Sequence, residues 1–505
     1  MLACFGDGYN SLGVGGPGLK ESLARQRLLW GLIVGVTAVC GLVVALVVAL
    51  FLRHAWGVVS FPYELAAGEE LLLRDAVQIV LGQSVYSDVN QFPFIVSNYP
   101  PLFALLSSTL LPLLGISLTA TRAVSTLSTL LCACLIGAIA YQGSRAKVPS
   151  AICGGAFLGS TYVYQWGAWG RVDTMAILFS LAAILAVLRV QNWRGVCLGA
   201  LFCVLSLYAK QTQFAAPLAI LVWLLWRRKG RQALAFGAVA GGIGGLTFVL
   251  LNAWTSGQFF RHLVVYNALS YSPRALLGYW RAFGLTHGVL LGAAIVCGLG
   301  SFRGRESKLP GLYFVAAAAL TALAGRAGAS SNHFLELIAA SLILCGSCWG
   351  RLWKRRALES AALALALLLQ LVWFGAFPQT PLSAYYEPLP AFGYTPQPGD
   401  LASCGQIDRY VEGVQGPILT EGGGFALRNG EQVVSSPWLL SALEGTGLVD
   451  EGLVRLEENL REHRFSLVVL TWQSYPPRIL EAVWANYQRV DTVDCVFTYE
   501  IFVPR

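Results

Sequence analysis

The sequence predicts a mostly α-helical, polytopic membrane bundle followed by a small C-terminal α/β domain. Of its 505 residues, 56% are hydrophobic and only 12% are charged, whereas soluble domains carry about 25% charged residues. A mean hydropathy of +0.60 requires lipid as part of the solvent. Acidic residues are unevenly spread, with eleven of the 27 in residues 1–379 and sixteen in residues 380–505. This shift places the boundary between the membrane part and a water-exposed domain near Phe377–Pro381.

About eleven apolar runs predict transmembrane helices. They span residues 29–52, 121–141, 150–167, 173–190, 195–209, 213–226, 233–254, 284–301, 311–325, 332–350 and 357–377. Several are shorter than the roughly 20 residues that cross a bilayer, so we expect those helices to be tucked inside the bundle. The first run is longer than a signal-peptide core and lacks a small-residue cleavage site. It is therefore expected to be a membrane helix that follows a cytoplasmic tail of residues 1–28.

The distribution of basic residues sets the predicted topology. The short run Leu102–Gly115 is interpreted as lying along the interface. Counting it as a crossing would move every later loop to the other side of the membrane and put the basic loops outside. With the interfacial placement, 18 of the 35 basic residues fall in short cytoplasmic segments, as the positive-inside rule expects. The N-terminus is then cytoplasmic, residues 29–379 form the membrane module with a long first outer loop at 53–120, and residues 380–505 lie outside.

The C-terminal segment has short strand and helix patterns that predict an α/β domain. The predicted strands are Pro417–Leu419, Ser466–Thr471 and Asp494–Val503, and the predicted amphipathic helix is Leu453–Arg461. Cys404 and Cys495 both lie in this domain, and they can pair if it faces an oxidising compartment. The domain either covers a cavity and guides an acceptor, or it is a structural appendage.

Carboxylates of the first outer loop are the first candidates for chemistry. Glu69 and Glu70 stand at the start of a predicted amphipathic helix, where the helix macrodipole favours negative charge. A buried carboxylate can have a raised pKa and act as a general base. The alternative is a helix-terminal charge in a solvated loop, and composition alone does not decide between the two.

Further polar residues cluster at helix ends on the same predicted side. Arg171 and Asp173 open one membrane helix, where they can serve chemistry or simply pair to anchor it at the interface. Lys210 either snorkels toward water or meets a phosphate. Because charges at membrane depth are costly and usually functional, their collection on one side predicts a single outward-facing cavity.

A third group lies at the start of a later helix. Asn332, His333 and Glu336 fall on or near one helix face, which fits a site, although a lone histidine there is more often structural. No P-loop or dinucleotide-binding fingerprint is recognisable, and the basic clusters fit cytoplasmic loops rather than nucleic-acid binding.

Six short motifs occur in order along the chain. They are Gly-Glu at 68–69, G-x-x-x-Y-x-D at 82–88, N-Y-P-P-L at 98–102, G-R-x-D at 170–173, K-Q-T at 210–212 and N-x-F-L-E at 332–336. Together they resemble the GT-C superfamily of membrane glycosyltransferases, and more closely its bacterial branch of protein mannosyltransferase and aminoarabinose transferase-like proteins. The resemblance covers residues 55–345, and residues 417–470 resemble the extracytoplasmic domain that follows many members.

The resemblance implies a reaction and a set of partners. Family members move a sugar from a polyprenyl-phosphate carrier to a lipid, glycan or protein acceptor outside the cytoplasm, which implies a multi-pass protein of a bacterial plasma membrane. If displacement is single-step, the anomeric carbon is inverted. No cofactor is implied, and a divalent cation at Glu69 and Asp173 stays open as an alternative.

The resemblance also implies residue roles. Glu69 matches the expected base, with Glu64 as second choice, although the Glu69-Glu70 pair allows the assignment to slip by one residue. Asp173 matches a second functional acid. Tyr99 stands where many members have a lysine, which weakens its assignment as a phosphate contact. The remaining candidates for phosphate binding are Arg171, Lys210 and Arg326.

Two rival functions fit parts of the same pattern. A transporter or flippase of lipid-linked glycans predicts hydropathy repeats and ionisable groups near mid-membrane, whereas the charges here lie at helix ends. A non-catalytic scaffold fits the Glu-Glu and Tyr-Pro-Pro departures from the family motifs.

Overall fold

The computed structural model describes residues 17–304, 307–353, 355–376, 379–380, 389–390 and 392–505. Most of the predicted cytoplasmic tail lies outside these residues, and so do residues 377, 378 and 381 of the predicted domain boundary. So do Arg305 and Lys354, which belong to two of the predicted cytoplasmic loops.

The predicted membrane runs are all helical. The helices of this part are α1 (Pro17–Ser60), α2 (Glu69–Val80), α3 (Leu102–Ser108), α4 (Leu111–Leu114), α5 (Leu118–Ser144), α6 (Lys147–Phe157), α7 (Thr161–Trp166), α8 (Asp173–Arg189), α9 (Trp193–Ala209), α10 (Ala215–Trp226), α11 (Gly230–Trp254), α12 (Gln258–Phe260), α13 (Pro273–Arg303), α14 (Leu309–Leu320), α15 (Leu335–Leu352) and α16 (Ala357–Gly375). Short π and 3₁₀ segments at Arg261–Val265, Thr321–Gly325 and Ser331–Phe334 join some of them.

Six helical stretches among the described residues are long and apolar enough to cross a membrane. They are Trp30–Ser60, Leu118–Ser144, Gly230–Trp254, Pro273–Arg303, Ser331–Leu352 and Ala357–Gly375. Shorter apolar helices lie at Trp193–Ala209, Ala215–Trp226 and Leu309–Gly325. The chain is therefore a multi-pass membrane protein, although not all of the eleven predicted spans reach full crossing length.

Two predicted membrane runs differ in detail from the structure, and a third run, which was predicted not to cross the membrane, agrees with it. The run at 150–167 divides into α6 and α7, with a break at residues 158–160. Helix α13 begins eleven residues before the predicted run, because Pro273 occupies its first turn and Ser272 caps it by accepting from the Ala275 N–H. The run Leu102–Gly115 forms only α3 and α4, which are too short to cross a bilayer.

Helix α15 forms the centre of the bundle. Its apolar span is buried along nearly its whole length, and it packs against α5, α6, α13 and α14. Helix α11 is the opposite case, with only Ala233 and Phe236 buried. Because an apolar side chain exposed to lipid is not penalised, α11 is readily explained as a helix at the lipid-facing rim.

The C-terminal domain is α/β, as predicted. It contains β3 (Ile418–Thr420), β4 (Leu467–Leu470), β5 (Tyr487–Asp494) and β6 (Thr498–Pro504), after the two-residue strands β1 (Gln379–Thr380) and β2 (Leu389–Pro390), and the helices α17 (Pro398–Val411), α18 (Gly424–Arg428), α19 (Pro437–Leu443), α20 (Asp450–Arg461) and α21 (Pro477–Asn486). The sheet order is β3-β4-β6-β5, with β3 parallel to β4 and the other pairs antiparallel. The predicted final strand, Asp494–Val503, corresponds to β6. It forms a hairpin with β5, which was not predicted from the sequence.

The first outer loop and the C-terminal domain are packed together. The Phe94 N–H donates to the Val434 carbonyl at 2.9 Å, and the Val96 N–H donates to the Ser436 hydroxyl at 2.9 Å. Within the domain, Cys404 and Cys495 form a disulfide, the pairing that the sequence allowed for a domain in an oxidising compartment. The contacts with the first loop hold the domain over one end of the helix bundle.

Candidate active site

A cleft lies at the end of the bundle beneath the C-terminal domain. Its lining residues come from five connecting segments of the membrane part and from α19: Asn98, Tyr99, Trp166, Arg171, Lys210, Gln211, Thr212, Asn267, Leu269, Arg326, Ala327, Gly328, Ala329, Ser330, Asn332, His333, Trp438 and Leu439. All five segments belong to the side that the topology predicted to face outward. Six of the ten predicted site residues therefore meet at one place.

Three cationic side chains line this cleft. Arg171 donates to the Ala67 carbonyl at 3.0 Å and to the Tyr99 hydroxyl at 3.4 Å, and its guanidinium lies 5.6 Å from the Trp166 ring centroid. Arg326 donates to the Asn267 carbonyl at 3.2 Å, and its Nε has no hydrogen-bond partner among the described residues. A guanidinium that is fixed by a neutral carbonyl, as Arg326 is, keeps its charge available for an anion.

The third cation, Lys210, is held by a buried carboxylate. Its Nζ donates to Asp173 Oδ1 at 2.6 Å, and Asn332 Nδ2 donates to the same oxygen at 2.8 Å. Asp173 is 1% exposed, and its Oδ2 accepts from no described residue. Asp173 thus lies directly beneath two lining residues. The alternative that Asp173 pairs with Arg171 merely as an interface anchor is not what the structure shows.

The last predicted group divides between the cleft and the bundle. His333 and Asn332 line the cleft, because the 3₁₀ turn before α15 faces it. Glu336 lies on the first turn of α15, away from the lining, where it accepts from the Tyr313 hydroxyl at 2.9 Å. Asn332 and His333 thus share a face, as predicted, and Glu336 does not. The reason is that the 3₁₀ turn ends at Phe334 and the α-helix begins at Leu335.

Glu69 forms a buried ion pair that the sequence analysis did not foresee. Arg122 donates to both of its carboxylate oxygens, at 2.8 and 2.6 Å, and both side chains are fully buried. The backbone N–H groups of Leu65, Ala66 and Gly170 also donate to it, at 2.9, 3.3 and 2.8 Å. Burial opposes its ionisation, but Arg122 and these N–H groups hold the pKa of Glu69 below its usual value. The expectation of a raised pKa at Glu69 is wrong.

Glu64 and Glu70 have the raised pKa values instead. Burial raises the pKa of Glu64 to about 7, although the Gly424 N–H donates to it. Burial, reinforced by the neighbouring Glu64 charge, raises the pKa of Glu70 to about 8. One oxygen of each carboxyl has no partner among the described residues. Neither side chain lines the cleft; Glu64 lies at the junction with the C-terminal domain. The alternative of a solvated charge at Glu70 is also wrong.

Several residues of the site were assigned no role from the sequence. Arg122 is the second residue of the predicted run 121–141, and a lone arginine at the start of an apolar helix was a usable signal for a buried partner. Asn267 was visible only as a polar loop residue, and Gln211 was recognised as part of the K-Q-T motif but given no role of its own. Both amides donate to the Asn98 carbonyl, at 3.4 and 2.8 Å, which fixes one wall of the cleft. Trp438 lies more than 100 residues in sequence from the lining residues of the membrane part, so no local pattern could place it there.

Among the described residues, no group of three or more His, Cys, Asp and Glu side chains is arranged to hold a metal ion.

The fold was compared with known proteins. No family model matches this sequence, and no curated protein matches it significantly. The crystal structure of ArnT from Cupriavidus metallidurans bound to undecaprenyl phosphate aligns with a TM-score of 0.62 at 13% identity, covering 91% of this chain and 97% of that chain.

A second solved structure shares the architecture. The oligosaccharyltransferase AglB from Archaeoglobus fulgidus, in complex with an inhibitory peptide and a dolichol-phosphate, aligns with a TM-score of 0.53 at 11% identity. That alignment covers 94% of this chain and 74% of the archaeal one. The identities are low, so these likenesses concern the fold. The chain is a polytopic membrane protein that shares the fold of these two structures, in line with the resemblance that its six ordered motifs carry.

Proposed function

We propose that this protein is an inverting glycosyltransferase that moves a sugar from a polyprenyl-phosphate donor to an extracytoplasmic lipid, glycan or protein acceptor. One observation carries the proposal: three cationic side chains from three separate segments, Arg171, Lys210 and Arg326, converge on a single cleft. No aspartate or glutamate is among the described residues that line it. The structures of the two proteins with the same fold contain undecaprenyl phosphate and dolichol-phosphate respectively, which supports the donor class.

The positive charge suits the leaving group. In the reaction, a bond forms between the acceptor oxygen and the anomeric carbon, and the bond from that carbon to the phosphate oxygen breaks. The electron pair departs with the phosphate, whose charge therefore grows in the transition state. Fixed cations at that position stabilise the growing charge without reorganisation. Arg171 and Arg326 donate to backbone carbonyls, and Lys210 is anchored by Asp173, so all three are positioned in advance.

We propose that Asp173 takes up the proton of the attacking acceptor hydroxyl, and that Glu69 has a structural role. Asp173 has an oxygen without a partner among the described residues and contacts two lining side chains. Glu69 accepts five hydrogen bonds, two of them from a cation, so its lone pairs are fully used. The second choice, Glu64, lies at the domain junction and is assigned no catalytic role here.

A bacterial plasma membrane with the C-terminal domain outside is part of the same proposal. Two observations support this orientation. The basic clusters fall in loops that the topology predicted from the sequence puts on the side opposite the cleft, as the positive-inside rule expects of cytoplasmic loops, and the Cys404–Cys495 disulfide fits an oxidising compartment.

Binding of undecaprenyl phosphate to the purified full-length protein tests the phosphate site. Replacing Arg326 by Gln removes a charged donor, and we expect binding to weaken about 10- to 100-fold. Arg274→Gln is the matched control, because Arg274 is exposed near the same end of the bundle and does not line the cleft. Equal affinity of the Arg326 variant and the wild type would refute the phosphate site.

Transfer assays then separate the proposed enzyme from its rivals. With a panel of undecaprenyl-phosphate sugars, we expect Asp173→Asn to lower the rate of transfer more than donor binding. Transport of an intact lipid-linked glycan without transfer would indicate a flippase. Donor binding with neither transfer nor transport, for every sugar in the panel, would indicate a scaffold.

A further inference from the structure

The C-terminal domain contributes an aromatic side chain to the cleft. Trp438 lies in the first turn of α19, and it lines the cleft together with Leu439. Its side chain is 43% exposed, whereas Leu439, Leu440 and Leu443 of the same helix are 4%, 0% and 2% exposed. The leucines therefore anchor the helix in the domain core, and the indole is left facing the cleft.

The indole ring lies against the segment that carries one of the cations. A Cβ atom on Gly328 would collide with Trp438 Cη2, and Gly328 has a φ of +72°. Both the close approach and the left-handed backbone require glycine at this position. Gly328 is two residues from Arg326, so the ring and the guanidinium border the same part of the cleft.

The position of Trp438 is fixed from the membrane side. Ser436 donates its backbone N–H to the Phe94 carbonyl at 3.2 Å, and its hydroxyl accepts from the Val96 N–H at 2.9 Å. The first-loop segment that makes these bonds continues into Asn98, which itself lines the cleft. The ring is thus part of a rigid wall rather than the tip of a free domain.

We infer that Trp438 is the contact for the donor sugar, which stacks on the indole while its phosphate meets Arg326. This inference rests on the proposed function. A sugar ring presents a face of C–H groups, which complements the negative face of an aromatic ring. The donor sugar is joined directly to its phosphate. A phosphate bound at Arg326 therefore places the sugar next to the Trp438 ring, because that ring packs against Gly328 of the same segment.

The test compares lipid phosphates with and without a sugar. The probes are undecaprenyl phosphate and its glucose, mannose and aminoarabinose conjugates, bound to the full-length protein. For the conjugate that the wild type binds best, we expect Trp438→Ala to weaken binding about tenfold and Trp438→Phe to retain it within about threefold. Affinity for undecaprenyl phosphate itself is expected to stay unchanged in both variants. Trp484→Ala is the matched control, since Trp484 is 45% exposed and lies outside the cleft.

The results separate this inference from the proposed function. Unchanged affinity of Trp438→Ala for the sugar conjugate would overturn the sugar contact. An equal loss for the phosphate with and without sugar would also overturn it, because the ring would then only support the Arg326 segment. A phosphate site that fails in the Arg326→Gln experiment refutes the proposed function whatever the result at Trp438.

Discussion

Replacing Glu69 by Gln distinguishes an anchoring carboxylate from a catalytic one. Glu69 is the counterion of Arg122, whose side chain is 0% exposed. Besides its two bonds to Glu69, Arg122 donates to the carbonyls of Val58, Phe61 and Tyr63, at 2.9, 2.5 and 2.7 Å. This pair therefore fixes the end of α1, the start of the first loop and the start of α2 in one arrangement.

The expected cost follows from the burial. The amide of the Glu69→Gln variant would keep a hydrogen bond but leave the guanidinium of Arg122 without an opposite charge. Removing one partner of a buried ion pair costs about 3–5 kcal/mol, which corresponds to about a 10²- to 10⁴-fold change in the unfolding equilibrium. We expect the double variant Glu69→Leu with Arg122→Met to recover part of that loss, because it leaves no buried charge behind.

Thermal unfolding of the purified variants in detergent measures this effect. Glu70→Gln is the matched control, because the neighbouring Glu70 is also buried but carries a raised pKa. We expect Glu70→Gln to unfold at the wild-type temperature or above, and Glu69→Gln well below it. A Glu69→Gln protein that unfolds like the wild type and yet transfers no sugar would refute the anchoring role and restore Glu69 as the general base.

Three further predictions concern the junction and the cleft. Because the pKa values of Glu64 and Glu70 rise from 4.5 to about 7 and about 8 on folding, the folded state holds more protons between those limits. Unfolding temperature is then expected to fall as pH rises from about 5 to about 8, and Glu64→Gln with Glu70→Gln should flatten that profile. Replacing Cys404 and Cys495 by Ser is expected to destabilise the C-terminal domain by about 2–5 kcal/mol, seen as earlier proteolysis of that domain with the membrane helices still protected. Gly328→Ala, which strains the backbone and collides with the indole, is expected to weaken binding of sugar conjugates, whereas equal binding would show that the segment yields freely.

The membrane helices were predictable because their signal is local. An apolar run of sufficient length has to be helical in lipid, since every backbone polar group needs a partner there. Boundaries were less predictable where polar caps act, as at Ser272 and Pro273. Strand β5 was missed because most of its side chains are exposed, including Val490 at 48%, so it shows no alternation of buried and exposed positions.

The candidate site was predictable in part, from charges that stand at helix ends. Lys210 and Asp173 were both identified, but their mutual contact spans 37 residues, and local patterns left the choice of partner open. Glu69 shows the limit most clearly. Its burial was foreseen as one interpretation, but the sign of its pKa shift depends on Arg122, 53 residues away. Burial and a counterion act in opposite directions, and only the folded contacts decide which prevails.

The bond from Phe94 to Val434 has a consequence for truncation. Cutting the chain after α16 would strip a partner from the segment that leads into Asn98, and it would expose the carboxyl of Glu64 together with apolar side chains such as Phe94, now 1% exposed. The helical part is therefore not a free-standing unit. A chimaera that exchanges the C-terminal domain between two proteins of this architecture must therefore exchange the first loop as well.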